Sequence, residues 1–259
     1  MIDRAMALVL SGVVLLGVAC VAFIGVCPPA ATCARPIWLD ANARMSAVVL
    51  IVLVAWLVRA ALLVHVTERG VRHLATTVAP SHLRAAQVRV GARRLVCVEG
   101  DSEAAFCSGT WRPTIFIGEK LAGRLSAEEL DAVLLHELDH ATRYEPVRRA
   151  MRHAAADIFF FAPIVRWWAR HRTVQVELAA DRAAVDRVGA RAVAAALWTL
   201  GGSAPSGVAA FMGSAGLRVA QLLGDSIAQP GPPRRLVAAS VVGTYLALQV
   251  VACAATPFL

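Results

Sequence analysis

Charged and aromatic residues are scarce in this sequence. Of its 259 residues, 17% are charged and 6% are aromatic, whereas 58% are apolar, and the mean hydropathy is +0.61. Soluble domains average about 45–50% apolar residues. The composition is therefore not that of an ordinary soluble domain. Because the apolar excess lies in a few long runs, it indicates membrane-spanning segments.

The sequence also lacks a C-x-x-C motif. The six cysteines are Cys20, Cys27, Cys33, Cys97, Cys107 and Cys253. No two of them form a C-x-x-C pair, which argues against a zinc site made of cysteines. Cys27 and Cys33 flank a short loop, and they either form a disulfide on an oxidising side of a membrane or remain free thiols.

Acidic residues are outnumbered by basic ones, 18 to 26, and the formal net charge is +8. The arginines form no long run and have no aromatic residues between them, so we expect no nucleic-acid partner. They cluster beside the apolar runs instead. This placement follows the positive-inside rule of membrane proteins and makes a lipid membrane the expected partner.

Three apolar runs are long enough to cross a bilayer. They cover residues 5–27, 45–66 and 236–255. The first run is either an uncleaved helix or a signal peptide in which Arg4 supplies the charged start. A second run follows directly, which favours the uncleaved helix and hence two spans, with a short outer loop, within residues 1–66. The third run makes residues 231–259 a C-terminal span.

The distribution of arginines predicts the orientation of these spans in the membrane. The segment 67–94 holds six of them against one glutamate: Arg69, Arg72, Arg84, Arg89, Arg93 and Arg94. We therefore expect an integral protein of a bacterial-type plasma membrane, with residues 67–230 as a domain at the cytoplasmic face. A shorter apolar run, residues 154–168, is predicted to be a helix that dips into the membrane or lies along its surface.

The segment between the second and third spans carries strand and helix signals. Residues 94–100, 104–109 and 114–118 are short β-branched or aromatic runs separated by turn residues, which predicts a small antiparallel sheet of three strands. Ser126 and Glu129 then form a capping-box pattern. The predicted fold class is a mostly α-helical α+β membrane protein containing this sheet.

The helix that follows Ser126 carries the pattern HELDH at residues 136–140. On a helix, His136 and His140 project from the same face and can bind one zinc ion. Glu137 lies to the side of that face, where it can take a proton from a water molecule. This spacing predicts a zinc-dependent hydrolase.

A zinc site of this kind needs a third protein ligand. The segment 175–185, QVELAADRAAV, offers Glu177 and, one helical turn later, Asp181. Glu177 would complete a His-His-Glu set and leave one position open for water. Asp181 would accept a hydrogen bond from the free ring N–H of a ligating histidine.

With these residues in place, the chain resembles the membrane zinc peptidases of the BlaR/MecR antirepressor type, and more distantly the HtpX-like and CAAX-prenyl proteases of the gluzincin fold. The likeness rests on AFCSGTWRPTIFIGEKL, SAEELDAVLLHELDHATRYEPVRR, FAPIVRWW and VELAADRAAV. It implies that zinc binds His136, His140 and Glu177, with Glu137 as base and Asp181 as support. It also implies a protein or peptide substrate that pairs with an edge strand at Ala104, Ala105, Phe106, Cys107 and Ser108.

Other predictions concern function and surroundings. No penicillin-binding sensor domain is expected after the last span, and no feature indicates an oligomeric state. A metal-binding signalling receptor without proteolysis and a purely structural membrane protein are the alternative functions. Four residues could stabilise the negative charge that develops on a substrate carbonyl, but we expect them at the protein surface instead: Tyr144, Arg170, His171 and Arg172. Those expected at lipid headgroups are Arg148, Arg149 and Arg152.

Overall fold

A computed structural model describes residues 37–201, 209–225, 227 and 230–255 of the chain. The predicted first span, residues 5–27, lies outside the described residues, as does the loop from Cys27 to Cys33. Nine helices and four strands are found within the described part. The strands are β1 (Thr76–Thr77), β2 (Leu95–Val98), β3 (Ala105–Ser108) and β4 (Thr114–Gly118). The helices are α1 (Ile37–Arg72), α2 (Ser81–Val90), α3 (Glu119–Arg124), α4 (Ala127–Thr142), α5 (Glu145–Ile158), α6 (Pro163–Val188), α7 (Ala190–Gly201), α8 (Ala209–Leu222) and α9 (Arg234–Ala255).

The sheet is mixed, so the prediction of three antiparallel strands is wrong. Its order is β1-β2-β4-β3, with β2 and β4 parallel and both outer pairs antiparallel. The loop after β2 crosses the end of β4, where a Cβ atom on Gly118 would lie 1.9 Å from the carbonyl oxygen of Ser102. Only glycine permits that close approach at the end of β4. In this order β4 lies between β2 and β3, and β3 is at the sheet edge.

Helix α4 begins with the predicted capping box. The backbone N–H of Ser126 donates to Glu129 Oε2 over 2.7 Å, and the backbone N–H of Glu129 donates to Ser126 Oγ over 3.3 Å. These bonds satisfy two amides that the first helical turn leaves without partners. The HELDH residues therefore lie in the second half of a well-capped helix, as predicted.

The core joins the sheet to α2, α4 and α7. Its largest fully buried apolar side chains include Leu83, Ile115, Ile117, Leu121, Leu130 and Leu134. Truncation of such a leucine to alanine typically costs about 2–5 kcal/mol of stability. Because α4 supplies Leu130 and Leu134 to this core, the histidines on its other face are held by the best-packed part of the domain.

Residues 154–168 do not form one helix, which corrects that prediction. Helix α5 ends at Ile158, a turn covers residues 159–162, and α6 begins at Pro163. Proline has no N–H to continue the preceding helix but is favoured in the first turn of a new one. Ala162 before it, with φ −113° and ψ 85°, lies outside the α-helical region that a following proline disfavours.

Two described helices are long and apolar enough to cross a membrane. The candidate spans are Ser46–Arg72 in α1 and Arg234–Val251 in α9, with mean hydropathies of 2.8 and 1.2, and little of either is buried inside the protein. They contain most of the predicted spans at 45–66 and 236–255.

Candidate metal centre

Two histidines from α4 and one glutamate from α6 meet in a compact cluster. His136 Nε2 lies 3.0 Å from His140 Nε2 and 3.4 Å from Glu177 Oε2, and His140 Nε2 lies 3.7 Å from Glu177 Oε1. The histidines are one helical turn apart and so share a face of α4. That face packs against α6, which brings in the glutamate. The sequence predicted this meeting of three residues.

These separations fit a metal ion. Zinc binds histidine nitrogen and carboxylate oxygen at about 2.0–2.2 Å in a tetrahedron, so two ligand atoms on one ion stand about 3.3 Å apart. The three candidate ligand atoms all lie within 4.8 Å of one another. An imidazole, a second imidazole and a carboxylate also form a donor set that zinc accepts. His136, His140 and Glu177 therefore fit a zinc ion.

Behind the histidines, Asp181 orients one of the rings. His136 Nδ1 lies 2.9 Å from Asp181 Oδ1, and Asp181 is completely buried. A carboxylate at Nδ1 fixes the proton there and leaves Nε2 free to face the cluster. Asp181 thus lies where the sequence predicted it, one turn after Glu177 on α6.

An arginine from α8 joins this support. Arg218 is buried, and its Nε and Nη2 donate to the two carboxylate oxygens of Asp181, each over 2.6 Å. Its Nη1 lies 3.8 Å from Glu177 Oε2. Sequence reasoning missed this residue, although it is the only charged residue in AAFMGSAGLRVAQL, the sequence of α8. A single charge in an apolar helix often marks a buried ion pair.

The cluster shifts the pKa of its members. Burial opposes protonation of His136, but hydrogen bonds to Asp181 and Glu177 outweigh it and raise its pKa to about 9. Burial also opposes ionisation of Glu177, yet the two histidines lower the pKa of that carboxyl group well below its usual value. Asp181 likewise has a lowered pKa, in spite of its burial, because of Arg218 and His136. The acidic and basic groups of the cluster therefore each favour the charged form of the other.

A cavity of about 900 Å³ opens onto the cluster. It is lined by the end of α1, the edge strand, and parts of α4, α5 and α6, and Glu137 is among the lining residues. The volume falls in the range of pockets that bind small ligands or a peptide segment. Glu137 is buried and follows His136 directly, so its carboxylate and the cluster border the same space.

The predicted substrate strand lies at the rim of this cavity. Residues 104–109 line it, and β3 pairs only with β4 among the described strands, from Ala105 opposite Ile117 to Ser108 opposite Thr114. One edge of β3 therefore has no strand partner among the described residues. The end of α1 is tied to this rim, because Glu68 Oε1 accepts hydrogen bonds from Thr110 N over 3.1 Å and from Thr110 Oγ1 over 2.5 Å.

The arginines after the HELDH helix differ from the prediction of lipid contact. Arg152 is buried and forms an ion pair with Glu145, so the prediction is wrong for this residue. Arg149 lines the cavity, and its Nη2 lies 3.2 Å from Glu177 Oε1. For the exposed Arg148, lipid contact stays a prediction.

The residues expected at the surface are not among those lining the cavity: Tyr144, Arg170, His171 and Arg172. Tyr144 is exposed and has a left-handed backbone, with φ 54°, at the junction of α4 and α5. Of the cations in the described part of the chain, Arg149 and Arg218 are the two arginines that line the cavity. Arg218 is committed to Asp181, which leaves Arg149 at the open side.

Comparison with known proteins agrees with this site. Residues 29–195, about two thirds of the chain, match the family described as BlaR1 peptidase M56. No curated protein matches the chain. M56 peptidases are metallopeptidases, and the matched region contains both histidines and Glu177. The family and the two apolar helices together suggest a membrane protein. By this match, the chain belongs to the BlaR1 peptidase M56 family.

Proposed function

We propose that this protein is a zinc-dependent endopeptidase anchored in the plasma membrane, in which residues 67–230 form the peptidase domain. The single observation that carries the proposal is the His136, His140 and Glu177 cluster, supported by Asp181 and opening onto a cavity that Glu137 also lines. A site that only stores metal has no need of Glu137, the third carboxylate of this group.

His136, His140 and Glu177 would hold the zinc ion. Zinc bound there supplies a Lewis acid that lowers the pKa of water and polarises a peptide carbonyl. Asp181 keeps the Nδ1 proton of His136 in place, so that Nε2 stays available as a ligand. Arg218 neutralises Asp181 and prevents an uncompensated charge from being buried beside the ligands.

Glu137 would act as the general base. Its carboxylate takes a proton from the attacking water and returns it to the amine that leaves when the peptide bond breaks. Arg149 would stabilise the negative charge that develops on the carbonyl oxygen. In support, its guanidinium lines the cavity 3.2 Å from Glu177 and is half exposed, so a substrate oxygen can displace that contact.

The substrate would be a protein chain in an extended conformation. Strand β3 has an unpaired edge beside the cluster, and a peptide that adds to it forms backbone hydrogen bonds whatever its sequence. We place the reaction at the cytoplasmic face, because the basic residues flank the inner ends of both spans: Arg69, Arg72, Arg234 and Arg235.

The proposal is tested by comparing new protein N-termini in cells that carry the native chain or Glu137→Ala. Fragments should disappear in the variant, while the zinc content of the purified protein stays the same. Glu128→Ala is the matched control, since this glutamate is exposed at the start of the same helix. If fragments persist in Glu137→Ala, the base is misassigned. If the native chain binds zinc but produces no fragments, it acts as a metal-binding receptor.

A further inference from the structure

Helices α5 and α6 form a helical hairpin that contacts both candidate spans. The tip is the turn at residues 159–162, FFFA. Helix α5 packs along α1, and the start of α6 packs against α9. A cytoplasmic domain that only rested on the membrane would meet such spans near their ends. The contacts of this hairpin lie well inside both.

The first set of contacts joins α5 to α1. Asp157 forms an ion pair with Arg59, at 2.8 Å from Arg59 Nη2. One turn earlier on α1, Trp56 Nε1 donates to the carbonyl oxygen of Met151 over 3.0 Å. Arg59 is the single charge within residues 46–66, and a charge inside an apolar span is rarely kept without a partner.

The second set joins the tip to α9. The backbone N–H of Ile164 donates to Ser240 Oγ over 2.9 Å. A Cβ atom on Gly243 would lie 1.9 Å from the carbonyl oxygen of Phe161, so the tip touches the helix backbone. Small residues permit such close approach between helices in membranes. The hairpin is therefore fitted to α9 and does not merely lie beside it.

The two spans give independent measures of depth. At a rise of about 1.5 Å per residue, Arg59 lies about 15 Å along the helix axis from Arg69 at the basic end of α1. By the same rise, Gly243 lies about 14 Å from Arg234 at the basic end of α9. Half the hydrocarbon thickness of a bilayer is about 15 Å. Both spans thus place the tip of the hairpin near the middle of a bilayer.

We infer that the α5–α6 hairpin re-enters the bilayer from the basic side and that its tip lies among lipid acyl chains. Phe160, at the tip, is 74% exposed, and acyl chains are the apolar partner that the outer faces of α1 and α9 also require. The Arg59–Asp157 pair then becomes an ion pair within the membrane. This inference stands independently of the proposed peptidase activity.

A depth measurement tests the inference on the full chain in vesicles of phosphatidylcholine and phosphatidylglycerol. A ketone-reactive nitroxide is attached to p-acetylphenylalanine in place of Phe160, which leaves all cysteines untouched. Position 58 on α1 is the membrane control, and position 88, where Val88 is 81% exposed on α2, is the water control.

The ratio of oxygen to nickel-complex accessibility should be on the order of tenfold higher at position 160 than at 88, because polar solutes are excluded from hydrocarbon. It should match the ratio at position 58. A value at 160 equal to that at 88 would overturn the inference. So would a value halfway between the controls, which would place the tip at the headgroups.

A second measurement uses the ion pair. The variants Arg59→Gln, Asp157→Asn and their combination form a double-mutant cycle for the thermal unfolding midpoint in the same vesicles. The midpoint should fall by several degrees in each single variant and recover in the double variant. The pair Arg89 and Asp131, bidentate at 2.9 and 2.8 Å on the soluble side, is the matched control.

Salt distinguishes the two pairs. At about 1 M salt the screening length in water is about 3 Å, so the coupling between Arg89 and Asp131 should shrink strongly. Ions do not enter the hydrocarbon, and the coupling between Arg59 and Asp157 should therefore be the same at low and high salt. Equal loss of coupling in both pairs would show that the hairpin is in water.

Discussion

Two regions border the candidate metal centre, and their charged side chains are arranged in opposite ways. The support region, Asp181 and Arg218, is buried, and its two side chains are joined by two short hydrogen bonds. The working region consists of Glu137, Arg149 and strand β3. It borders the cavity, and its arginine makes one long, half-exposed contact with Glu177. The support region fixes the geometry of the cluster, whereas the working region can exchange its present contacts for contacts with a substrate.

If this division holds, a change at the cluster itself should have the largest effect. His140→Ala leaves two of the three ligands, and zinc per chain should fall from about one to background, since such sites use three protein ligands. Metal analysis of the purified protein measures this. His153→Ala is the control, because this histidine lines the cavity outside the cluster. Equal zinc in both variants would remove His140 from the site.

Arg149→Gln should show that the working region acts on the reaction and not on the metal. The expected result is a fall in kcat of about 10²–10³-fold, as for loss of one oxyanion-stabilising donor, with unchanged zinc content and partial rescue by Arg149→Lys. Peptides that contain the cleavage sites found in cells serve as substrates. Arg148→Gln, a change of the exposed neighbour, should leave kcat unchanged. Normal kcat in Arg149→Gln would contradict the assigned role.

The support region should show a smaller effect on metal and a larger one on stability. Arg218→Met leaves Asp181 buried without its partner, which should weaken zinc binding about 10–100-fold in chelator competition. It should also cost about 3–5 kcal/mol of stability. Arg182→Met is the control, since this arginine forms an exposed contact with Gln221 between the same helices, α6 and α8. Equal zinc affinity in both variants would place Arg218 outside the support.

The smallest effect is expected at Cys107, on β3, the proposed substrate strand. Burial and the carboxylate of Glu137 raise the pKa of its thiol to about 12, although Arg149 opposes the shift. The thiol is therefore neutral throughout the working pH range, and Cys107→Ser should change kcat less than about threefold, because a neutral thiol is no nucleophile. Iodoacetamide at pH 8 should label Cys107 slowly, and faster in Glu137→Gln. Rapid labelling of the native chain would contradict the burial.

Local patterns predict much of the site. Because i and i+4 spacing fixes a helix face, the sequence alone relates His136 to His140 and Glu177 to Asp181. The capping box at Ser126 is equally local, and it is present. Contacts that depend on tertiary packing could not be predicted in this way. Arg218 reaches the site from 82 residues beyond His136, and no spacing rule predicts such a partner.

The sheet and the hairpin show the same limit. Composition identifies three strand segments, but their order and pairing depend on tertiary contacts, which sequence periodicity does not encode. The run at residues 154–168 is mostly apolar, apart from Asp157 and Arg166, and therefore indicates one helix. Pro163 begins a new helix, and the chain reverses direction in the turn between α5 and α6.

Glu68 ties the end of α1 to Thr110, two residues after β3. If a substrate binds along β3, we expect a rotation or shift of α1 to slide the bound peptide past Glu137 without disturbing zinc. The position of α1 would then determine which peptide bond is cut. Glu68→Gln should accordingly move the cleavage position along a peptide while zinc content stays constant; unchanged cleavage positions would refute this coupling.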